Sequence, residues 1–285
     1  MSNALEIKNL NKKFKTFSLQ DINLTIPKGS VLGLVGKNGS GKSTIINSIF
    51  NIVKPDSGQI FFYSEELNDK NKLLKNDIGT VFDSLYFSLE MKIAALEKIL
   101  DCLYPNFDFK VFNEYLTKFD LPKDKKLKTF SRGMGMKLQI AIALSHKAKF
   151  LVLDEATAGL DPVIREEILD IFIDFVAQEE NAILISSHIS SDLERLADYI
   201  AFIDEGKIIL TDTKDNFIYN YGIARLTREQ FDQLSSLEYL GMRNRGLQIE
   251  VLVNNKQEFC QKYPSFIVDN SNLDEILALL IKGDK

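Results

Sequence analysis

Gly36-Lys37-Asn38-Gly39-Ser40-Gly41-Lys42-Ser43, with Thr44 after it, is the stretch on which the fold of this chain turns. It fits G-x-x-x-x-G-K-[ST], a loop that wraps nucleotide phosphates. Before it stands Val31-Leu32-Gly33-Leu34-Val35, a short apolar run suited to a buried parallel strand. After it, Ile45-Ile46-Asn47-Ser48-Ile49-Phe50 can continue as a helix. Glycines let successive N–H groups converge on one anion, and the helix N-terminus adds partial positive charge. Residues Gly36 to Thr44 are therefore expected to hold a nucleoside triphosphate. Lys42 is expected to reach the β- and γ-phosphates, and the Ser43 hydroxyl to ligate Mg²⁺. A glycine-rich surface turn is the bland alternative, and the strand–loop–helix context speaks against it.

The complement lies downstream. Phe150-Leu151-Val152-Leu153 is an apolar strand that ends in Asp154-Glu155. Ligands of parallel sheets sit at the carboxyl ends of the strands, so both carboxylates should face the phosphates. A magnesium ion takes a carboxylate, a hydroxyl and phosphate oxygens, which Asp154 and Ser43 would share with the nucleotide. Glu155 is then placed to orient or deprotonate an attacking water.

A length of 285 residues allows one large or two modest domains. With 45% hydrophobic and 26% charged residues the chain can build a sizeable core, and a net charge of −5 argues against a general nucleic-acid binder. No apolar run is long enough to span a bilayer, and the N-terminus has no signal-peptide character. Cys102 and Cys260 lie far apart and read as free thiols of a reducing compartment.

Strands are expected at Leu5–Asn9, Leu19–Ile26 and Ile60–Tyr63, with turn chemistry at Lys54-Pro55-Asp56-Ser57-Gly58. Amphipathic helices are expected over Met91–Leu103 and Val111–Phe119, as an insert before the next core strand. Ile183-Leu184-Ile185 and Ile200-Ala201-Phe202-Ile203 read as further core strands, which argues for a parallel, helix-covered sheet. Asp161-Pro162 opens the helix between two of them, as a capping carboxylate followed by proline at the first helical position. Beyond Asp212 a helix at Thr227–Leu234, a strand at Leu247–Val253 and a helix at Leu273–Lys282 make a small α+β tail.

Glu155-Ala156-Thr157-Ala158-Gly159-Leu160-Asp161-Pro162, followed by Ser186-Ser187-His188, resembles the ATP-binding subunit of an ABC transporter. The likeness spans about residues 4 to 210. It implies an α/β fold: a P-loop NTPase core with a parallel sheet, an N-terminal antiparallel β subdomain and an α-helical insert at about 84–146. Residues 1–211 would form the ATPase domain and 212–285 a small α+β extension. The cofactors implied are ATP and Mg²⁺. The resemblance also places His188 at the γ-phosphate and attacking water, and Asp161 in a loop that crosses to a partner subunit. Ser131-Arg132-Gly133-Met134-Gly135 resembles the family's signature segment, usually Leu-Ser-Gly-Gly-Gln, with Phe130, Arg132 and Met134 as departures. Ser131 and Gly133 would contact a nucleotide held by the other subunit. A head-to-tail dimer with an identical or related chain follows, as does a membrane-spanning permease partner. The chain would then be cytoplasmic, peripheral on the inner face of the membrane.

Asp83 stands where the family places a glutamine, which makes it a coupling-loop candidate whose contact with Mg²⁺ would need a water. Ala156 replaces the usual proline. Phe14, beside Lys12-Lys13, resembles the ring that stacks on adenine; Phe17 is the second candidate, and a core role for Phe14 stays open. These features are similar to bacterial ABC exporter ATPases for antibiotics or peptides. The rivals are a soluble ABC-type ATPase acting on the ribosome or nucleic acid, and a regulatory ATP-binding module. The chain has no second ATPase half and no basic extension, and Lys42, Asp154, Glu155 and His188 are all present.

Overall fold

The computed structural model describes residues 2–68 and 71–282. Strands β1 (Asn3–Lys13) and β2 (Ser18–Pro27) pair antiparallel, and the chain then enters β3 (Val31–Val35) and helix α1 (Lys42–Ile49). It returns to the first sheet through β4 (Ser57–Phe62) and β5 (Glu65–Glu66), giving the antiparallel order β2-β1-β4-β5. Strand β6 (Ile78–Phe82) precedes the helical insert of α2 (Ile93–Leu103), α3 (Phe109–Lys118) and α4 (Arg132–Ser145). Next come β7 (Phe150–Asp154), α5 (Pro162–Val176), β8 (Ala182–Ser186), α6 (Ser190–Leu196), β9 (Tyr199–Asp204) and β10 (Lys207–Thr213). The central sheet has the order β10-β9-β3-β8-β7-β6, parallel throughout except for β10.

Alternation along the strands sorts the core into two layers. On β3, Leu32 and Leu34 face the antiparallel sheet and α1, where they join Ile7, Ile22, Ile45, Phe62 and Phe150. Val31 and Val35 face the other way, with Leu151, Leu153, Ile183 and Phe202 against the helices, through Leu96, Phe112, Leu138 and Phe172. Full burial of such a side chain contributes roughly 1.5–3 kcal/mol, so both faces of the sheet help to stabilise it.

The tail is built from α7 (Lys214–Tyr219), β11 (Gly222–Leu226), α8 (Arg228–Phe231), β12 (Gly241–Asn244), β13 (Ile249–Val253), α9 (Lys256–Lys262), β14 (Ile267–Asn270) and α10 (Leu273–Lys282). Its sheet runs β12-β13-β11-β14, all antiparallel. One face has its own small core around Leu226, Val251 and Phe259. The other face, with Ile223, Leu252, Ile276 and Leu279, merges with the large helix-side core of the central sheet. Strand β10 runs past the expected boundary at Asp212, and α7 packs Phe217 edge-on against Phe202 of β9, centroids 5.3 Å apart. The helix expected over Thr227–Leu234 is a single short turn, because Thr227 and Gln230 close a capping box and the helix ends at Phe231. Cys102 and Cys260 are free thiols, and no helix among the described residues is long and apolar enough to cross a membrane.

Candidate functional site

At the carboxyl ends of β3 and β7 an open cleft of about 830 Å³ is lined by the glycine loop, Phe82, Asp83, Tyr86, Asp154 and Glu155. Two glycines allow the loop to form. A Cβ on Gly36 would lie 2.3 Å from the Ile203 carbonyl oxygen, and Gly41 adopts φ 119°, in the region that side chains disfavour. Gly41 stands at the N-terminus of α1, and no side chain caps the free N–H groups there. Ser40 Oγ is buried without a hydrogen-bond partner. Lys42 is buried, and its ammonium donates to the carbonyls of Gly36 at 2.7 Å and Lys37 at 3.3 Å. Burial holds its pKa below the usual lysine range, while Glu155 and Asp154 act in the opposite sense. Lys37 points outward to Asp204, 2.9 Å away, whose hydrogen bond holds the Lys37 pKa above the usual value.

The acidic pair is arranged by one serine at the end of the neighbouring strand. Ser186 Oγ donates to Asp154 Oδ1, and the Glu155 N–H donates to the Ser186 carbonyl at 3.1 Å. The other oxygen of Asp154 accepts from Ser43 Oγ at 3.4 Å. Glu155 has φ 53°, a left-handed conformation that a non-glycine residue adopts at a cost of order 1–3 kcal/mol. That turn carries its carboxylate to His188, with Nδ1 and Oε2 2.5 Å apart. The start of α1 after β3 and the ends of β7 and β8 thus deliver an amine, a hydroxyl, two carboxylates and an imidazole to one region. No three His, Cys, Asp or Glu side chains among the described residues form a metal cluster of their own. Ser43 and Asp154 make a two-oxygen donor set that fits a hard cation whose remaining positions are taken by phosphate and water.

Asp83 lines the cleft and accepts from Ser84 Oγ at 3.2 Å. Phe17 is a wall of the same cleft, since a Cβ on Gly41 would meet its ring at 3.0 Å. Phe14 lies in the adjoining hollow of about 510 Å³ with Lys37 and Glu205, 40% exposed, its ring 6.3 Å from that of Phe17. It is therefore no core residue. His146, in contrast, is buried and stacks on Tyr104 at 4.3 Å.

Ser131, Gly133 and Asp161 come together elsewhere. Ser131 caps α4 by accepting from the Met134 N–H at 3.2 Å, and Asp161 caps α5 by accepting from Val163 and Ile164 at 3.1 and 3.0 Å. A Cβ on Gly133 would touch Ile164 of α5 at 3.0 Å, and Arg132 lies over Gly159. None of these residues lines the phosphate-loop cleft.

A model of the ABC transporter family matches residues 19–158. Over 214 residues the chain is 38% identical to the lantibiotic transport ATP-binding protein SrtF of Streptococcus pyogenes, covering 74% of this chain and 91% of that one. It belongs to the ABC transporter ATP-binding proteins. Another member, the bacitracin transport ATP-binding protein BcrA of Bacillus licheniformis, is 32% identical, with 73% of this chain and 69% of that one covered. Among solved structures, cbiO1 from Clostridium perfringens, part of the ABC transporter complex cbiONQ, matches with TM-score 0.61 and 27% identity, covering 75% of this chain and 90% of that one. ATP hydrolysis is the activity of this ABC ATPase. It is the ATP-binding subunit of a transporter, not a ribosome-directed ATPase or a stand-alone regulatory module.

Three functional details escaped sequence reading. Gln139, a lone polar residue in the apolar stretch of α4, clamps the end of β6 by exchanging two hydrogen bonds of 3.0 Å with the Phe82 backbone. A polar residue in a buried helical stripe was the available signal. Ser186 was visible only as part of a motif. Asp192, fully buried, gave no signal at all.

Proposed function

We propose that this subunit drives export of peptides or antibiotic-like compounds, as one of two ATPase chains bound to a membrane-spanning permease. One observation carries the mechanical part: Ser131, Gly133 and Asp161 form a cluster apart from the cleft that holds Lys42, Ser43, Asp154, Glu155 and His188. A head-to-tail pairing with an identical or related chain brings the first cluster of one subunit over the cleft of the other.

ATP enters with its phosphates on the N–H groups of Gly36–Thr44. Lys42 exchanges the Gly36 and Lys37 carbonyls for the β- and γ-phosphates, so the ammonium is held ready and needs no rotamer search. Ser43 and Asp154 would hold Mg²⁺, which would supply charge neutralisation for the phosphates. Phe14 gives the exposed ring for adenine, with Phe17 as the wall beside it. Glu155 accepts from the attacking water, and His188 holds that carboxylate while contacting the γ-phosphate. Closure of the partner's Ser131 and Gly133 over the γ-phosphate excludes other water. Work comes from differential affinity, since ATP favours the closed pair and ADP does not. Asp83 and the insert beside it form the docking groove for a short helix of the permease, which keeps the subunit on the inner face of the membrane.

SrtF and BcrA, whose names specify lantibiotic and bacitracin transport, support the exporter reading. Affinity purification of the tagged chain from solubilised membranes tests it. Recovery of a multi-span membrane protein in fixed ratio is expected; recovery with ribosomes in its place would overturn the assignment.

A further inference from the structure

Asp192 is a fully buried carboxylate in the first turn of α6, four residues after His188. Two other parts of the chain converge on it, and one of them also holds its neighbour Ser191. The Thr157 hydroxyl donates to Oδ2, Arg165 donates to Oδ1 at 2.5 Å, and the same guanidinium donates to Ser191 Oγ at 2.6 Å. Thr157 lies two residues after Glu155, in the turn whose closure is marked by the Ala158 N–H donating to the Glu155 carbonyl at 3.1 Å. Arg165 sits one turn into α5, its N–H on the carbonyl of the capping residue Asp161 at 3.0 Å.

A buried ion pair is a weak source of stability, because desolvation offsets most of the attraction and an apolar replacement of similar volume serves as well. What the pair does supply is position. His188 is exposed, its side chain 62% accessible, so packing does not fix it against Glu155. The backbone beneath it does, through the Ile189 N–H on Ser187 Oγ at 3.0 Å and through α6, which is pinned at Asp192. We infer that Asp192 is a positioning residue: one carboxylate that sets the spacing of Glu155 and His188 by holding the Glu155 turn and the helix after His188 together. Through Arg165 it also ties that spacing to Asp161. A partner chain that moves Asp161 therefore moves the water-handling pair. This inference rests on the reading that Glu155 and His188 act on the attacking water.

The test is D192N, which keeps the shape and the Thr157 bond but removes the charge that pairs with Arg165. A misplacement of about 1 Å in such a pair can cost on the order of a hundredfold, so kcat should fall at least about tenfold. KM for ATP and the affinity for ATP at the phosphate loop should stay within about twofold. In an H188A background, D192N should have no further effect, because both changes act on the same contact. A merely structural residue would add its cost in either background. If D192N does not fold, T157V, which removes one hydroxyl at constant volume, takes its place with the same readouts. An unchanged kcat, or a kcat that falls together with ATP affinity, overturns the inference. E155Q and H188A separate it from the reading beneath: if they lower kcat while D192N leaves it unchanged, only the role of Asp192 falls. If they too leave kcat unchanged, the water-handling assignment falls first.

Discussion

Lys42 and Ser131 both stand at the start of a helix that follows a loop, and the two helix starts are finished differently. Helix α1 begins at a left-handed glycine with no side-chain cap and opens on a cleft with an amine, a hydroxyl and two carboxylates at its edge. Helix α4 begins with its first turn already closed by Ser131 on the Met134 N–H, beside apolar Ile164 and the Arg132 side chain. The first start is prepared for an anion and surrounded by reacting groups. The second has a hydroxyl and a close-packed glycine and nothing that performs chemistry. On the reading proposed above, one face is a reaction centre that lacks a cover and the other a cover that lacks a reaction centre. The difference teaches why that reading makes each subunit half of two sites.

The comparison breaks hardest at Glu155. E155Q keeps a side chain of the same size but loses the carboxylate, and kcat for ATP should fall by about 10²–10⁴-fold, the usual worth of a general base. ATP affinity by equilibrium titration should be retained. An unchanged turnover rate would remove Glu155 from its role.

The next change belongs to the other face. S131R places a long cation where a closing partner must approach, and it should lower hydrolysis by roughly a hundredfold through misplacement of the closed pair. ATP binding by the isolated chain should be within about twofold of the parent, since Ser131 is remote from the cleft. Equal losses in binding and turnover would show that the faces are not separate.

S186A sharpens the first face. Ser186 holds Asp154 through its hydroxyl and Glu155 through its backbone carbonyl at 3.1 Å and the same hydroxyl at 3.3 Å, so S186A loses the Asp154 contact and the longer of the two Glu155 contacts. An increase of about tenfold in the Mg²⁺ concentration needed for half-maximal activity is expected, the usual cost of removing a partner of a metal-ligating carboxylate.

F14A removes a stacking platform worth roughly 1–3 kcal/mol per base. ATP affinity should drop accordingly, with inorganic triphosphate binding unaffected. F17A, whose ring packs on Gly41, should weaken both.

Much of the first face was legible because it is written in contiguous runs. The glycine loop, Asp154 and Glu155 each follow an apolar strand, and a strand-end carboxylate needs no distant information to be placed. The left-handed turn at Glu155 was not legible, because it depends on Ser186 holding its N–H from the next strand. Asp192 was invisible for the same reason: its partners Thr157 and Arg165 are 35 and 27 residues away. The parallel, helix-covered sheet is legible from apolar strands separated by helices. The tail is legible from its own short patterns as an appended α+β unit, but its seat on the core is not. Phe217, Ile223 and Leu279 carry it into the helix-side core, and no local pattern marks a side chain that packs across such a junction.

Mixing K42A with S131R tests the half-site account most directly. K42A has no working phosphate loop but an intact Ser131 face; S131R has the reverse. Each alone should be nearly silent, and the mixture should hydrolyse ATP at a rate far above the sum of its components. A mixture no faster than that sum, with S131R alone turning over at the parental rate, would contradict it.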